Sequence, residues 1–128
     1  MKVLKFGGSS VADATNMSRV IDIVTSEAAA DRVILVSSAI SGCTDRLLEI
    51  GEGRVELIDG LQQRHNEIIK RLFTGKEREE AMEECASVFS LIRGCRHCIE
   101  SYGEILSTKI LARKLSCDGY SARWVDSR

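Results

Sequence analysis

Proline is absent from this 128-residue sequence, and aromatic side chains make up only 5% of it. No helix can therefore be broken by a proline, and turns fall to glycine and short polar residues. Charge of one sign is also missing: 18 Lys and Arg face 19 Asp and Glu, for a formal net charge of −1. That balance argues against nucleic acid and anionic membranes as partners. No apolar stretch is long enough for a signal-peptide core or a membrane span, so the protein is read as cytoplasmic. Internal repeats and low-complexity tracts are lacking too. What is present, 44% apolar and 29% charged residues, is the composition of a globular protein, and the length suits one domain with one core.

Five cysteines are present, Cys43, Cys85, Cys95, Cys98 and Cys117. An odd number without a secretory signal predicts reduced thiols. Cys95 and Cys98 form a C-x-x-C pair, a spacing shared by half zinc sites and redox motifs. No second pair lies at metal-ligand spacing. Ile99 follows Cys98 where a haem motif needs histidine, and the pair falls inside a helical pattern. It is read as two half-buried helix cysteines, and no metal site is expected.

The stretch that organises the rest is Lys5-Phe6-Gly7-Gly8-Ser9-Ser10. It follows an apolar strand-like opening and precedes an amphipathic segment near Asp13, a layout of strand, glycine turn and helix. Glycines without Cβ atoms let a ligand approach the backbone and allow φ > 0. The amides of such a turn and of the next helix converge on one point, which suits a phosphate. Lys5 adds a positive charge, and Ser9 and Ser10 add hydroxyl donors. The stretch matches neither G-x-x-x-x-G-K-[ST] nor G-x-G-x-x-G. The residues alone leave polyphosphate binding and a purely geometric turn both open.

Along the chain, residues 2–6 read as a strand and Asp13 to Glu27 as a helix, with Met17, Val20, Ile21, Val24 and Ala28 at helical spacing. Val33 to Val36 is a β-branched run of the kind buried on both faces of a parallel sheet. The opening is thus β-α-β, which makes residues 2–6 and 33–37 parallel neighbours and puts their following loops, 7–10 and 38–44, on one edge. Loop 38–44 is rich in hydroxyls and leads into a helix near Asp45 to Gly51. Open parallel sheets bind ligands at this edge, although the serines also serve as ordinary helix caps. Glu56 to Cys98 reads as a helical hairpin that flanks the sheet. One stripe is Ile58, Leu61, His65, Ile68, Ile69 and Leu72, with His65 at the core edge. The other is Ala81, Met82, Cys85, Val88, Phe89 and Ile92. The charged run from Lys76 to Glu84 reads as a solvated face. Gly94 and Gly103 interrupt the pattern before a helix that runs through Leu115, where Ser101 and Glu104 match a capping box. Tyr120 to Val125 reads as a third strand, with Trp124 in the core.

Three segments together resemble one family. Lys5-Phe6-Gly7-Gly8-Ser9-Ser10-Val11-Ala12 is similar to the opening K-F-G-G-[TS]-S-V-A of aspartate kinases. Val36-Ser37-Ser38-Ala39-Ile40-Ser41-Gly42-Cys43-Thr44-Asp45 resembles their second motif, V-[VL]-S-A-x-x-G-x-T-[ND]. Ser101-Tyr102-Gly103-Glu104-Ile105-Leu106-Ser107 resembles the third, S-x-G-E-x-[LM]-S, with Ile105 where many relatives carry a charged residue. Order and spacing agree over the whole chain.

The resemblance implies an α/β fold, a three-layer α/β/α sandwich with a mainly parallel sheet. It implies transfer of phosphate from ATP, with Mg²⁺, to the side-chain carboxylate of L-aspartate, giving 4-phospho-L-aspartate for lysine, threonine and methionine biosynthesis. Lys5 matches the lysine at the transferring phosphate. Gly7, Gly8, Ser9 and Ser10 match the nucleotide-phosphate loop, and Ser38, Thr44 and Glu104 match positions that hold aspartate. Such kinase domains are about twice this long, and regulatory domains and, in some members, a fused homoserine dehydrogenase follow. Residues 1–128 are therefore expected to be the N-terminal portion of a kinase domain, inactive alone and part of a homo-oligomer when whole. A kinase of the same family acting on another carboxylate, and a folded fragment that turns nothing over, are the rival readings.

Overall fold

A computed structural model describes residues 1–95 and 97–127. Strand β1 (Lys2–Phe6) and strand β2 (Val33–Ser37) pair in parallel, from Lys2 opposite Val33 to Phe6 opposite Ser37. Helix α1 (Ala14–Ala28) makes the crossover. Asp13 caps it by accepting a hydrogen bond from the amide of Asn16 at 2.8 Å, and Met17, Val20, Ile21 and Val24 are buried. Helices α2 (Cys43–Gly51), α3 (Ile58–Leu72), α4 (Gly75–Gly94) and α5 (Tyr102–Cys117) follow. The expected α/β architecture, the parallel pairing and the placement of both loops after strand ends are all present. No helix among the described residues is long and apolar enough to cross a membrane.

The sheet differs from expectation in two ways. Leu4, Phe6, Val33 and Leu35 pack against the core. Val3, Ile34 and Val36, on the opposite face, are 57%, 45% and 42% exposed. The helices that touch the sheet, α1 and α5, leave that face open, so β2 is covered on one side among the described residues and not on both. Nor do residues 120–125 form a strand. Ala122 and Trp124 turn inward against the core while Arg123 and Val125 are exposed. That is strand-like alternation, but a strand is defined by its ladder, and this segment lies beside α5, where the indole Nε1 of Trp124 donates to Thr108 Oγ1 at 2.8 Å.

The α3–α4 hairpin forms on the two predicted stripes, all of whose members are buried except the half-buried Met82. Arg78 closes the turn between the helices by donating to the carbonyls of Phe73 at 2.9 Å and Lys70 at 2.7 Å, groups a helix end otherwise leaves unpaired. The run from Lys76 to Glu84 is not wholly solvated: Glu80 and Glu84 pair with Arg113, and Glu84 with Lys109, on α5.

His65 lies inside the core, not at its edge, with no exposed surface. Its ring packs edge-on against Phe89 at 5.5 Å. Nδ1 lies 2.8 Å from the carbonyl of Leu61. A carbonyl only accepts, so Nδ1 carries the proton and Nε2, buried without a partner among the described residues, is a bare lone pair. Burial pushes the pKa of His65 down to about 4, because the charged ring would lose its hydration. The neutral ring is the form the fold favours. Its stabilisation is complete above the unfolded pKa of about 6.5 and is lost as pH falls toward 4. From pH 7 to pH 5 the stability margin of the wild type over His65→Leu should therefore shrink by about 2 kcal/mol. Urea midpoints of both proteins at the two pH values check this; a constant margin would show that His65 does not titrate against the fold.

Candidate functional site

Three chain segments meet at the carboxyl edge of the two strands. The first leaves β1 at Gly7 and makes a 3-10 turn, Gly8–Val11. Gly7 has φ −82° and ψ 175°, and neither glycine is in the left-handed region. Their conformational freedom is thus not what the fold uses. Gly8 is required by proximity: a Cβ there would lie 3.0 Å from the carbonyl oxygen of Ala39 and 3.4 Å from the backbone of Ser41. At Gly7 a Cβ would meet no atom of the other described residues within 4 Å, its chain neighbours aside. The helix dipole enters the site less directly than the sequence layout suggests. The 3-10 turn separates Gly7 from α1, and the N-terminus of α1 is already capped by Asp13.

The second segment runs from Ser38 to Thr44. It continues the ladder, the amide of Ser38 donating to the carbonyl of Phe6 at 3.0 Å. Gly42, at φ +79°, turns the chain into α2, a left-handed conformation that suits glycine. The third segment is the start of α5. Gly103 is buried within it and does not interrupt it, contrary to the sequence reading. A Cβ on Gly103 would lie 2.8 Å from Cβ of Ala39 and 3.2 Å from Sγ of Cys43. One turn on, the buried Ser107 hydroxyl donates to the carbonyl of Ser38 at 2.7 Å. Residues 39–43 are therefore held between Gly8 on one side and Gly103 on the other.

The expected capping box at this helix does not form. Ser101 is already helical, at φ −65° and ψ −22°, and has no side-chain cap bond. Its hydroxyl donates to the carbonyl of Cys98 at 2.8 Å. A 3-10 turn, Ile99–Ser101, precedes α5 and takes away the extended geometry a cap requires. Glu104 is exposed beside the packed Gly103 and Ser107.

Of the residues singled out from sequence, Gly7, Gly8, Ser9, Ser10, Ser38 and Thr44 are thus brought to one edge. Lys5, Ser9, Ser38, Thr44 and Glu104 are exposed. Lys5 is the penultimate residue of β1, paired in register with Val36 on the open face of the sheet. No carboxylate pairs with Lys5 among the described residues, and no cation with Glu104. Sequence reasoning missed Gly103 as a packing residue, Ser107 as a tie, and Arg64. From α3, the Arg64 guanidinium donates to the carbonyl of Ser41 and, at 3.2 Å, to that of Ala12.

The cysteines do no chemistry at this edge. Burial pushes the thiols of Cys43 and Cys85 up to about 11 and about 12, so both stay protonated and unreactive. The C-x-x-C pair lies beyond the end of α4 and not within a helix. Cys95 is half-buried, and Cys98 is exposed with φ +52°. No group of three His, Cys, Asp or Glu side chains among the described residues could hold a metal ion. A groove of about 610 Å³ lies elsewhere, between α4, α5 and Trp124. Its Glu84, Lys109 and Arg113 are paired with one another.

Comparison with known proteins fixes the lineage. The family model described as "Amino acid kinase family" matches residues 1–128. The chain belongs to the amino acid kinase family. It is 32% identical to lysine-sensitive aspartokinase 3 of Escherichia coli (strain K12), covering 98% of this chain and 31% of that protein. It is 31% identical to chloroplastic aspartokinase 1 of Arabidopsis thaliana, over 98% of this chain and 25% of that one. The structure of E. coli aspartokinase III in complex with aspartate and ADP superposes with a TM-score of 0.79 at 31% identity, over 100% of this chain and 31% of that one. The chain thus spans between a quarter and a third of the length of these relatives.

In this member of the family the packing residue Gly103 should behave differently from a solvent-facing glycine. Gly103→Ala gains helix propensity but drives its methyl into Ala39, and overpacking of that kind costs about 1–3 kcal/mol. Gly60→Ala on exposed α3, where a Cβ meets nothing within 4 Å, should stabilise by about 0.5–1 kcal/mol. Denaturant midpoints moving in opposite directions are the expected result.

Proposed function

We propose that this chain is the N-terminal portion of the kinase domain of an aspartate kinase, which transfers the γ-phosphate of ATP to the side-chain carboxylate of L-aspartate. The observation that carries this reading is the convergence of the three motif-bearing segments, 7–10, 38–44 and 103–107, at one sheet edge, in a fold close to that of an enzyme solved with aspartate and ADP. The open apolar face of Val3, Ile34 and Val36 supports a further layer of the same domain packing there, as does the length of the relatives. Cytoplasmic location, assembly as a homo-oligomer and a place at the head of lysine, threonine and methionine biosynthesis belong to the same proposal.

The chemistry asks for alignment and charge neutralisation. A carboxylate oxygen of aspartate attacks the γ-phosphorus, and the bond from that phosphorus to the bridging oxygen of ADP breaks. The nucleophile is already an anion and ADP leaves as one, so no proton need move. Two anions must nevertheless be brought together. Lys5 offsets the charge that shifts onto the transferring phosphate. The backbone around Gly7 and Gly8 and the hydroxyls of Ser9 and Ser10 bind phosphate oxygens. Gly7 fits this role because nothing among the described residues crowds its missing side chain. Ser38 and Thr44 donate to a carboxylate of aspartate, and the unpaired Glu104 receives its ammonium. The described residues offer no cluster that would hold a metal, and Mg²⁺ would be carried by the nucleotide phosphates, whose charge it would offset.

Two measurements test this. In the full-length protein, Lys5→Ala should lower kcat by about 10²–10³-fold with little change in the KM for aspartate, because the lysine acts on charge that develops in the transition state. Glu104→Gln should instead raise the aspartate KM several-fold and leave that for ATP unchanged. Full aspartate-dependent ADP release by Lys5→Ala would reduce Lys5 to a surface residue. Release driven by a different carboxylate and not by aspartate would move the enzyme elsewhere in the family.

Residues 1–128 alone should show no aspartate-dependent turnover, the rest of the kinase domain being missing. A coupled assay for ADP checks this, and a rate of about 1 s⁻¹ or more would show that these residues are sufficient.

A further inference from the structure

We infer that Arg64 is a positioning residue that fixes the distance between the two ligand-binding loops. It sits on α3, in the helical hairpin, outside all three motif segments. Its guanidinium nevertheless reaches the carbonyl of Ser41, in the middle of loop 38–44, and the carbonyl of Ala12, immediately after the 3-10 turn of loop 7–10. Both carbonyls lie away from the strand ends of the loops. Their strand ends are already joined by the β1–β2 ladder and the bond from Ser38 to Phe6. The contact of Gly8 with Ala39 and Ser41 sets how close they come but does not hold them together. Arg64 supplies that hold.

The residue type matters. A guanidinium is a rigid planar fork whose nitrogens can serve two acceptors at once, whereas a lysine ammonium on a flexible stem has no such fixed geometry. Arg64 forms no salt bridge with a carboxylate among the described residues, so its charge is directed at the two carbonyls.

The inference rests on the proposed function, in which one loop holds phosphate and the other aspartate. Their separation then sets the distance between nucleophile and phosphorus, to which transfer rates are steeply sensitive. Loss of the fork should leave each substrate bound on its own loop but misaligned. In the full-length protein, Arg64→Ala should lower kcat by about 10-fold or more and change the KM for ATP and for aspartate by less than about 3-fold. Arg64→Lys, which restores the charge but not the fork, should recover little of that loss. Hydrogen exchange gives a readout independent of activity: amides of residues 8–12 and 41–43 should exchange about 10-fold faster in both variants, with α4 unchanged as the control for folding. Exchange that is unaltered in both loops overturns the inference, whether or not the protein proves to be an aspartate kinase. So does full recovery of kcat in Arg64→Lys, which would assign the effect to charge alone. Faster loop exchange in both variants of a protein whose wild type does not phosphorylate aspartate would retain the clamp and remove the substrate assignment.

Discussion

Residues 39–43 have glycine against them on two sides, and the rest of the structure is arranged to keep them there. Gly8 brings the end of β1 to the carbonyl of Ala39, and Gly103 brings α5 to its methyl group. A Cβ at Gly103 could fit only if its neighbours shifted, and one at Gly8 would press its neighbours back by a few tenths of an ångström. The parallel ladder fixes one end of this segment through Ser38, and the Ser107 hydroxyl takes the carbonyl of the same residue. Ser38 is thereby fixed through its main chain while its side chain remains exposed. This combination suits the role proposed for Ser38, with the backbone held by the fold and the hydroxyl left for a ligand.

The glycines illustrate why a motif cannot be read for a single reason. In Lys5-Phe6-Gly7-Gly8 the adjacent glycines suggested backbone conformations denied to other residues, yet neither has a positive φ. Gly8 answers to packing, and Gly7 meets no such neighbour among the described residues. It is Gly42, in a stretch that reads as ordinary hydroxyl-rich loop, that carries a left-handed turn.

The regular elements were legible because their patterns are local. Period-3.6 stripes located α1, α3 and α4, and the run Val33 to Val36 located β2. Features that depend on distant partners were not. The segment 120–125 has the inward alternation of a strand, but no ladder partner is present beside it among the described residues. The capping box at Ser101 failed because of the residues before it: Ile99 is buried against Gly51, and the turn that buries it makes Ser101 helical. Arg64 showed no signal at all. Its partners lie 23 and 52 residues away, and on α3 it reads as one more charge beside a core stripe. His65 was placed on the correct stripe, but periodicity does not measure depth.

The open face of the sheet bears on Lys5. Val3, Ile34 and Val36 lie with it on that face, so whatever covers these side chains also removes water from around the lysine stem. A methylene stem tolerates this well, but an ammonium does not. Such a group must reach water or meet an anion. Lys5 is next to the end of β1, where loop 7–10 begins, so its stem can lie along an apolar layer while its charge emerges at the loop. Burial of the face and binding of phosphate are in that case not competing demands on Lys5. In the proposed kinase, partial removal of water from around the ammonium would strengthen its interaction with a phosphate relative to bulk water.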